Sequence, residues 1–187
     1  MIVHEEFIKE KYDSYIAFLS CRKVVKSPFV ISDAKENHPT SIYAETEMAC
    51  TYLFGDVKMS CEVKNSNVSD FSYSIMSSLI PSKTIYRFDS DGPEHKNKVD
   101  YIPLSQQGVP TPHYHLFDNK GNFLAHQTED MADKAKEADW KDMDKVFSFF
   151  CQEMDVHAPQ TEDRPRLIVS TGTIPFDFED PTNGISF

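Results

Sequence analysis

Residues 112–127 read PHYHLFDNKGNFLAHQ. Apolar and aromatic residues alternate on both sides of Asp118-Asn119-Lys120-Gly121, a run of turn formers. His113–Phe117 and Asn122–Gln127 are therefore expected to be the arms of a β-hairpin. Strand side chains alternate between faces. His113 and His115 thus share one face, about 6.5–7 Å apart along the chain, and Tyr114 and Leu116 take the other. The place of His126 depends on one residue of register. A two- or four-residue loop sets it opposite His113 and completes a three-histidine cluster. Asp at the first turn position and Gly at the fourth suit instead a type I turn with a bulged Gly121. That three-residue loop pairs His126 with Tyr114 and turns it away, and the turn chemistry favours it.

Upstream, Thr84–Asp89 (TIYRFD) alternates cleanly, with Ile85, Arg87 and Asp89 on one side and Thr84, Tyr86 and Phe88 on the other. Ser90-Asp91-Gly92-Pro93 ends this strand in a turn that leads to His95. Residues 94–112 form a long connection with a short strand expected around Tyr101–Leu104. If the 84–89 strand neighbours the hairpin, Arg87, Asp89 and His95 border the histidine face.

Imidazole serves near neutral pH as general acid or base and as a metal ligand, and both uses want histidines converging in space. Three readings of His113 and His115 stand open: edge histidines without special chemistry, a proton-transfer or phosphate-contacting site, and a metal site. In the second, His113 and His115 act as acid and base on RNA, assisted by His95, Arg87 and Asp89, without a cofactor. Lys96, Asn97 and Tyr114 are then the substrate contacts. In the third, a divalent metal is held by His113, His115 and, register permitting, His126. Gly108-x4-His113-x-His115 matches part of a cupin metal motif but lacks its glutamate. Arg87 and Asp89 also suit a plain structural ion pair. No phosphate-binding glycine loop, GxSxG or HExxH occurs.

The rest of the chain frames this centre. Glu5–Ser20 carries Phe7, Ile8, Tyr15, Ile16 and Leu19 at helical spacing, so one amphipathic helix is expected there. Val24–Ile31 reads as a strand placed at an edge by Pro28, and Asp33–Thr40 as a polar loop. In CTYLFGDVKMSC (50–61), a two-residue turn at Gly55-Asp56 sets Cys50 opposite Cys61, the thiols staying free in a reducing compartment. Asp70–Ile80 fits a strand or a short helix. Thr128–Asp139 reads as a charged connection. Trp140–Val156 reads as the strongest helix, with Met143, Val146, Phe147, Phe150 and Met154 on one stripe. Arg166–Ser170 suits a last strand, followed by an irregular acidic tail from about residue 172. These elements predict one α+β domain over residues 1–187, a mainly antiparallel β-sheet with an amphipathic helix at each end.

At 187 residues the chain is long enough for one sizeable core. A formal charge of −11 opposes non-specific coating of nucleic acid. The charged N-terminus excludes a signal-peptide core, and no apolar run reaches membrane-spanning length, so a cytoplasmic protein is expected.

Arg87-x-Asp89, Gly92-Pro93-x-His95-x-Asn97 and Pro112-His113-x-His115 resemble, position by position, a family of small uncharacterised proteins carried by phages and mobile elements. The helix ending FSFFCQEMDV is similar to that family's closing helix, and the likeness spans about residues 84–156. The chain departs from the pattern after Asn97, where Lys98-Val99-Asp100 replaces a Pro-Asp-Gly turn. The resemblance implies a mobile-element context and a recurring histidine site, without a reaction. Two functional expectations follow. One is a nuclease-like hydrolase that cleaves RNA. The other is a non-catalytic acidic inhibitor that binds a nucleic-acid-handling protein through its acidic face and tail (Glu162, Asp163, Asp177, Glu179, Asp180).

Overall fold

The computed structural model describes residues 3–31, 33–35, 38–52, 54–161 and 163–169. It is an α+β fold. In chain order it contains α1 (Glu6–Glu10), α2 (Tyr12–Ser20), β1 (Lys23–Val25), β2 (Phe29–Ile31), β3 (Asp33–Lys35), β4 (His38–Cys50), β5 (Val57–Lys64), β6 (Asn67–Ser77), β7 (Thr84–Asp89), β8 (His95–Lys96), β9 (Gly108–Val109), β10 (His113–Phe117) and β11 (Phe123–His126). There follow α3 (Glu129–Ala132), α4 (Glu137–Trp140), α5 (Met143–Glu153), β12 (Val156–His157) and β13 (Leu167–Val169). The main sheet runs β11-β10-β7-β6-β5-β4-β1-β12, with β3 paired to β4. Every pairing in it is antiparallel except β1 with β12.

Alternation along β6, β7 and β10 gives this sheet two unlike faces. Phe71, Tyr73, Tyr86 and Phe88 fall on one, where Phe71 packs on Tyr73 and Phe88, and the other three meet Phe147 and Phe150 of α5 and Trp140 of α4. Ser72 and Ser74 lie on the other, registered against Asp89 and Arg87. The serine-rich run that left 70–80 undecided is thus a strand with one aromatic and one polar face. Tyr15 of α2 closes the lower end of that polar face. Its ring packs edge-on against Phe117, and its buried hydroxyl donates to the Ile85 carbonyl and accepts from the Phe117 N–H. It thereby ties β7 to β10 beyond their last registered pair, Tyr86–Leu116. The upper end, around Arg87, Asp89, His113 and His115, is left open.

Several expectations are corrected. The N-terminal helix breaks at Lys11 into α1 and α2, and Ile16 is exposed rather than part of the packed stripe. The strand expected over 24–31 divides around Pro28 into β1 and β2, and β2 leaves the main sheet to pair in parallel with β13. The expected 33–40 loop contributes β3 and the start of β4. Cys50 faces Lys23 on β1, and Cys61 faces Ala44, because residues 51–56 make a longer connection than a two-residue turn. All four cysteines are free. The 128–139 connection holds α3 and part of α4. The long C-terminal helix begins only at Met143, where the Asp142 carboxylate caps the Lys145 N–H. Tyr101–Leu104 is not a strand: Leu104–Gln106 form a 3-10 turn, and β8 and β9 pair instead. The tail from residue 172 lies outside the described residues. No helix among the described residues is long and apolar enough to cross a membrane.

Candidate functional site

The hairpin register places Tyr114 opposite His126 and Phe117 opposite Phe123. Gly121 takes φ +81°, and its N–H closes the turn on the Asp118 carbonyl. This is the three-residue loop that the turn residues favoured. β10 then lies beside β7, with His113 opposite Asp89 and His115 opposite Arg87. Strand alternation sets His113 with His115 and Arg87 with Asp89, and the β7–β10 pairing brings the two pairs to one face.

Asp89 is the hub. Its side chain is 14 % exposed, and its Oδ2 lies 3.3 Å from His115 Nε2 and 3.7 Å from His113 Nε2. Arg87 reaches the same carboxylate, with Nη2 and Nε at 2.6 and 2.7 Å from Oδ1. Burial works against charge on Asp89, but the hydrogen bond from His115 and the Arg87 guanidinium outweigh it and hold the carboxyl below its ordinary range. His113 Nδ1 lies 3.1 Å from the Pro110 carbonyl. A carbonyl only accepts, so Nδ1 carries the proton and the Nε2 lone pair faces Asp89. Burial and the neighbouring His115 push the His113 pKa down, which keeps this ring neutral.

His95 packs on the pair from β8, its ring centroid 4.7 Å from that of His115 and 6.1 Å from that of His113. Burial, followed by repulsion from the other two imidazoles, lowers its pKa to about 4. Its Nε2 and the Nδ1 of His115 are buried without a hydrogen-bond partner. His126 Nε2, on the opposite sheet face, is buried without a partner as well.

These side chains line a cleft of about 380 Å³ together with Val3, Asp91, Pro93, Glu94, Thr111 and Phe123. Phe123 stacks on His115 at 5.4 Å. Asp91, Glu94 and Phe123 were missed in the sequence, the acids because they sit in an irregular turn. Phe123 could have been read from the register that the turn residues favoured, which sets it opposite Phe117 on the His115 face.

Four expected site residues are placed elsewhere. Tyr114 points to the opposite face, stacked between Tyr86 and His126, and so cannot touch a substrate in the cleft. His126 follows it there and cannot join a metal set with His113. Asn97 is 3 % exposed and fully engaged. Its amide donates to the Ala125 carbonyl and its oxygen accepts from the Ala125 N–H, so it serves as a stand-in strand for the edge of β11. Lys96 is exposed on β8 and does not line the cleft. Of the acidic residues named for partner binding, only Asp163 falls within the described residues.

Asp89, His113 and His115 each offer a ligand atom within 4.8 Å of the other two, close enough to bind a metal ion. Ligands about 2.0–2.1 Å from a tetrahedral ion stand about 3.3 Å apart. The 3.3 and 3.7 Å separations at Asp89 Oδ2 sit near that spacing. Comparison with family models, curated proteins and solved structures gives no match.

Proposed function

We propose that this cleft is the active site of a small metal-dependent hydrolase of phosphodiester bonds, RNA among them. Asp89, His113 and His115 would hold one divalent cation. The observation that carries the reading is the single carboxylate oxygen of Asp89 facing the Nε2 atoms of two buried histidines. Two nitrogens and one carboxylate suit a catalytic divalent ion that keeps open positions for water and substrate. When bound, such an ion polarises a phosphoryl oxygen and lowers the pKa of a coordinated water.

Electrostatics supports this form over metal-free acid–base catalysis. A histidine pair working alone needs one imidazole charged, and burial disfavours the charged form of His95 and His113. The carboxylates of Asp89, Asp91 and Glu94 line the cleft, with Arg87 paired to Asp89 and Lys141 reaching Asp91 at 2.9 Å. A bare phosphate would be repelled there, and a divalent ion would offset that charge. His95 lines the cleft beside the set. The resemblance of nine residues to phage and mobile-element proteins supports a mobile-element context.

The test is cleavage of labelled RNA before and after chelation. Chelation should abolish turnover, and one divalent metal should restore it. Asp89→Asn, His113→Ala and His115→Ala should each lower the rate about a hundredfold or more. His126→Ala, on the other face, should leave it within about twofold. Undiminished cleavage by the chelated protein and by a His113→Ala/His115→Ala variant would contradict the reading.

A further inference from the structure

We infer that Arg87 is a positioning residue of the metal centre, which fixes Asp89 as a ligand through one oxygen only. The inference rests on the metal reading above. Arg87 and Asp89 are two apart on β7 and so share a face. Asp89 Oδ1 receives both Nη2 at 2.6 Å and Nε at 2.7 Å, and Nε also donates to Oδ2 at 3.0 Å. The guanidinium therefore saturates Oδ1 and turns Oδ2 toward His113 and His115.

An isolated carboxylate beside an ion can swing to bind through both oxygens. With Oδ1 committed to a rigid fork of donors, that swing is blocked. The backbone does the same for the second ligand, since the Pro110 carbonyl fixes the ring orientation of His113. Outer partners of this kind typically tune metal affinity about 10–100-fold. The sequence left two roles open for Arg87, assisting the histidines on RNA or a structural ion pair with Asp89. Its fork is spent on Asp89, although the side chain remains 45 % exposed.

Arg87→Lys separates geometry from charge, because it keeps the cation and loses the planar fork. The probe is Co(II), titrated into the metal-free full chain and followed by its visible absorption. Wild type should bind Co(II) with the intense bands of a low-coordinate ion. Arg87→Lys should bind about tenfold more weakly or worse. Its bands should also be weaker per ion, as Oδ1 joins the coordination shell. Arg87→Gln should show the same spectral change, and both variants should match wild type in metal-free thermal stability to within a few degrees, since the side chain is half exposed. Wild-type spectrum and affinity in Arg87→Lys would overturn the inference and leave the metal reading standing. A wild-type chain that binds no Co(II) would overturn both.

Discussion

Asp89 stands directly opposite His113 in the β7–β10 ladder, yet its Oδ2 lies closer to His115, at 3.3 Å, than to His113, at 3.7 Å. One carboxylate thus serves two histidines that the strand pleat puts on the same face. The arrangement needs three elements in register: β7 for Asp89, β10 for both histidines, and β8 for His95. Changes to what holds those elements together should therefore act on the site as well as on stability.

Asn97 is the link between β8 and the sheet edge. Asn97→Ala removes both hydrogen bonds to Ala125 and leaves its buried N–H and carbonyl unpaired. The expected loss is about 2–4 kcal/mol by urea denaturation. Asn97→Asp, which keeps the acceptor alone, should fall between. An Asn97→Ala chain as stable as wild type would show that Ala125 finds water instead.

Gly121 is required by two constraints at once. Its φ is +81°, and a Cβ there would come 2.4 Å from the Glu5 carbonyl oxygen. The same peptide accepts from the Glu5 N–H at 2.8 Å, fastening the N-terminal segment to the hairpin. Gly121→Ala should cost about 1–3 kcal/mol and speed amide exchange at Glu5. Unchanged exchange at Glu5 would refute the coupling.

Lys23 is fully buried, and its ammonium donates to the carbonyls of Leu19, Cys21 and Met154 at 2.9–3.0 Å. It gathers the ends of α2 and α5 onto β1. Lys23→Met fills similar space but leaves three carbonyls without that donor, and should destabilise by about 1–3 kcal/mol in chemical denaturation. An equally stable variant would show that the cost of burying the ammonium cancels its hydrogen bonds.

His126 sets a pH dependence. Burial, then repulsion from His115, lowers its pKa below the ordinary 6.5, so it stays neutral in the fold. The unfolded chain takes up this proton near pH 6.5, the folded chain only at lower pH. Its contribution to stability is therefore complete above pH 6.5 and lost as pH falls toward the folded value. His126→Gln should show a smaller drop in melting temperature between about pH 7 and pH 5 than wild type. An identical drop would mean His126 does not contribute.

Local sequence carried the parts of this account that depend on period and turn chemistry. The alternation of Thr84–Asp89, the pairing of His126 with Tyr114 through Asp118 and Gly121, and the α+β class with a mainly antiparallel sheet all appear in the structure. Features set by distant partners were not readable. Cys50 and Cys61 lie in one apparent hairpin, but the β4–β5 pairing sets Met48 opposite Val57 and Ala44 opposite Cys61, so the connection is longer than the two-residue turn that Gly55-Asp56 suggested. Asn97 looks like a substrate contact until Ala125, 28 residues on, takes both ends of its amide. Tyr114, by contrast, was legible as facing away, since strand alternation alone sets it opposite to its neighbours His113 and His115. Asp89 and Arg87 were legible as neighbours of the site, but not that one carboxylate would be shared.

The central claim is that Asp89, His113 and His115 form a metal centre. Metal content of the reconstituted and dialysed chain, measured by elemental analysis against protein concentration, tests it most directly. The account predicts about one divalent ion per wild-type chain, and a loss of most of it in Asp89→Asn and in His115→Ala, with His126→Ala retaining it. A wild-type chain that retains no ion, or variants at Asp89 and His115 that retain it as fully as wild type, would contradict the account.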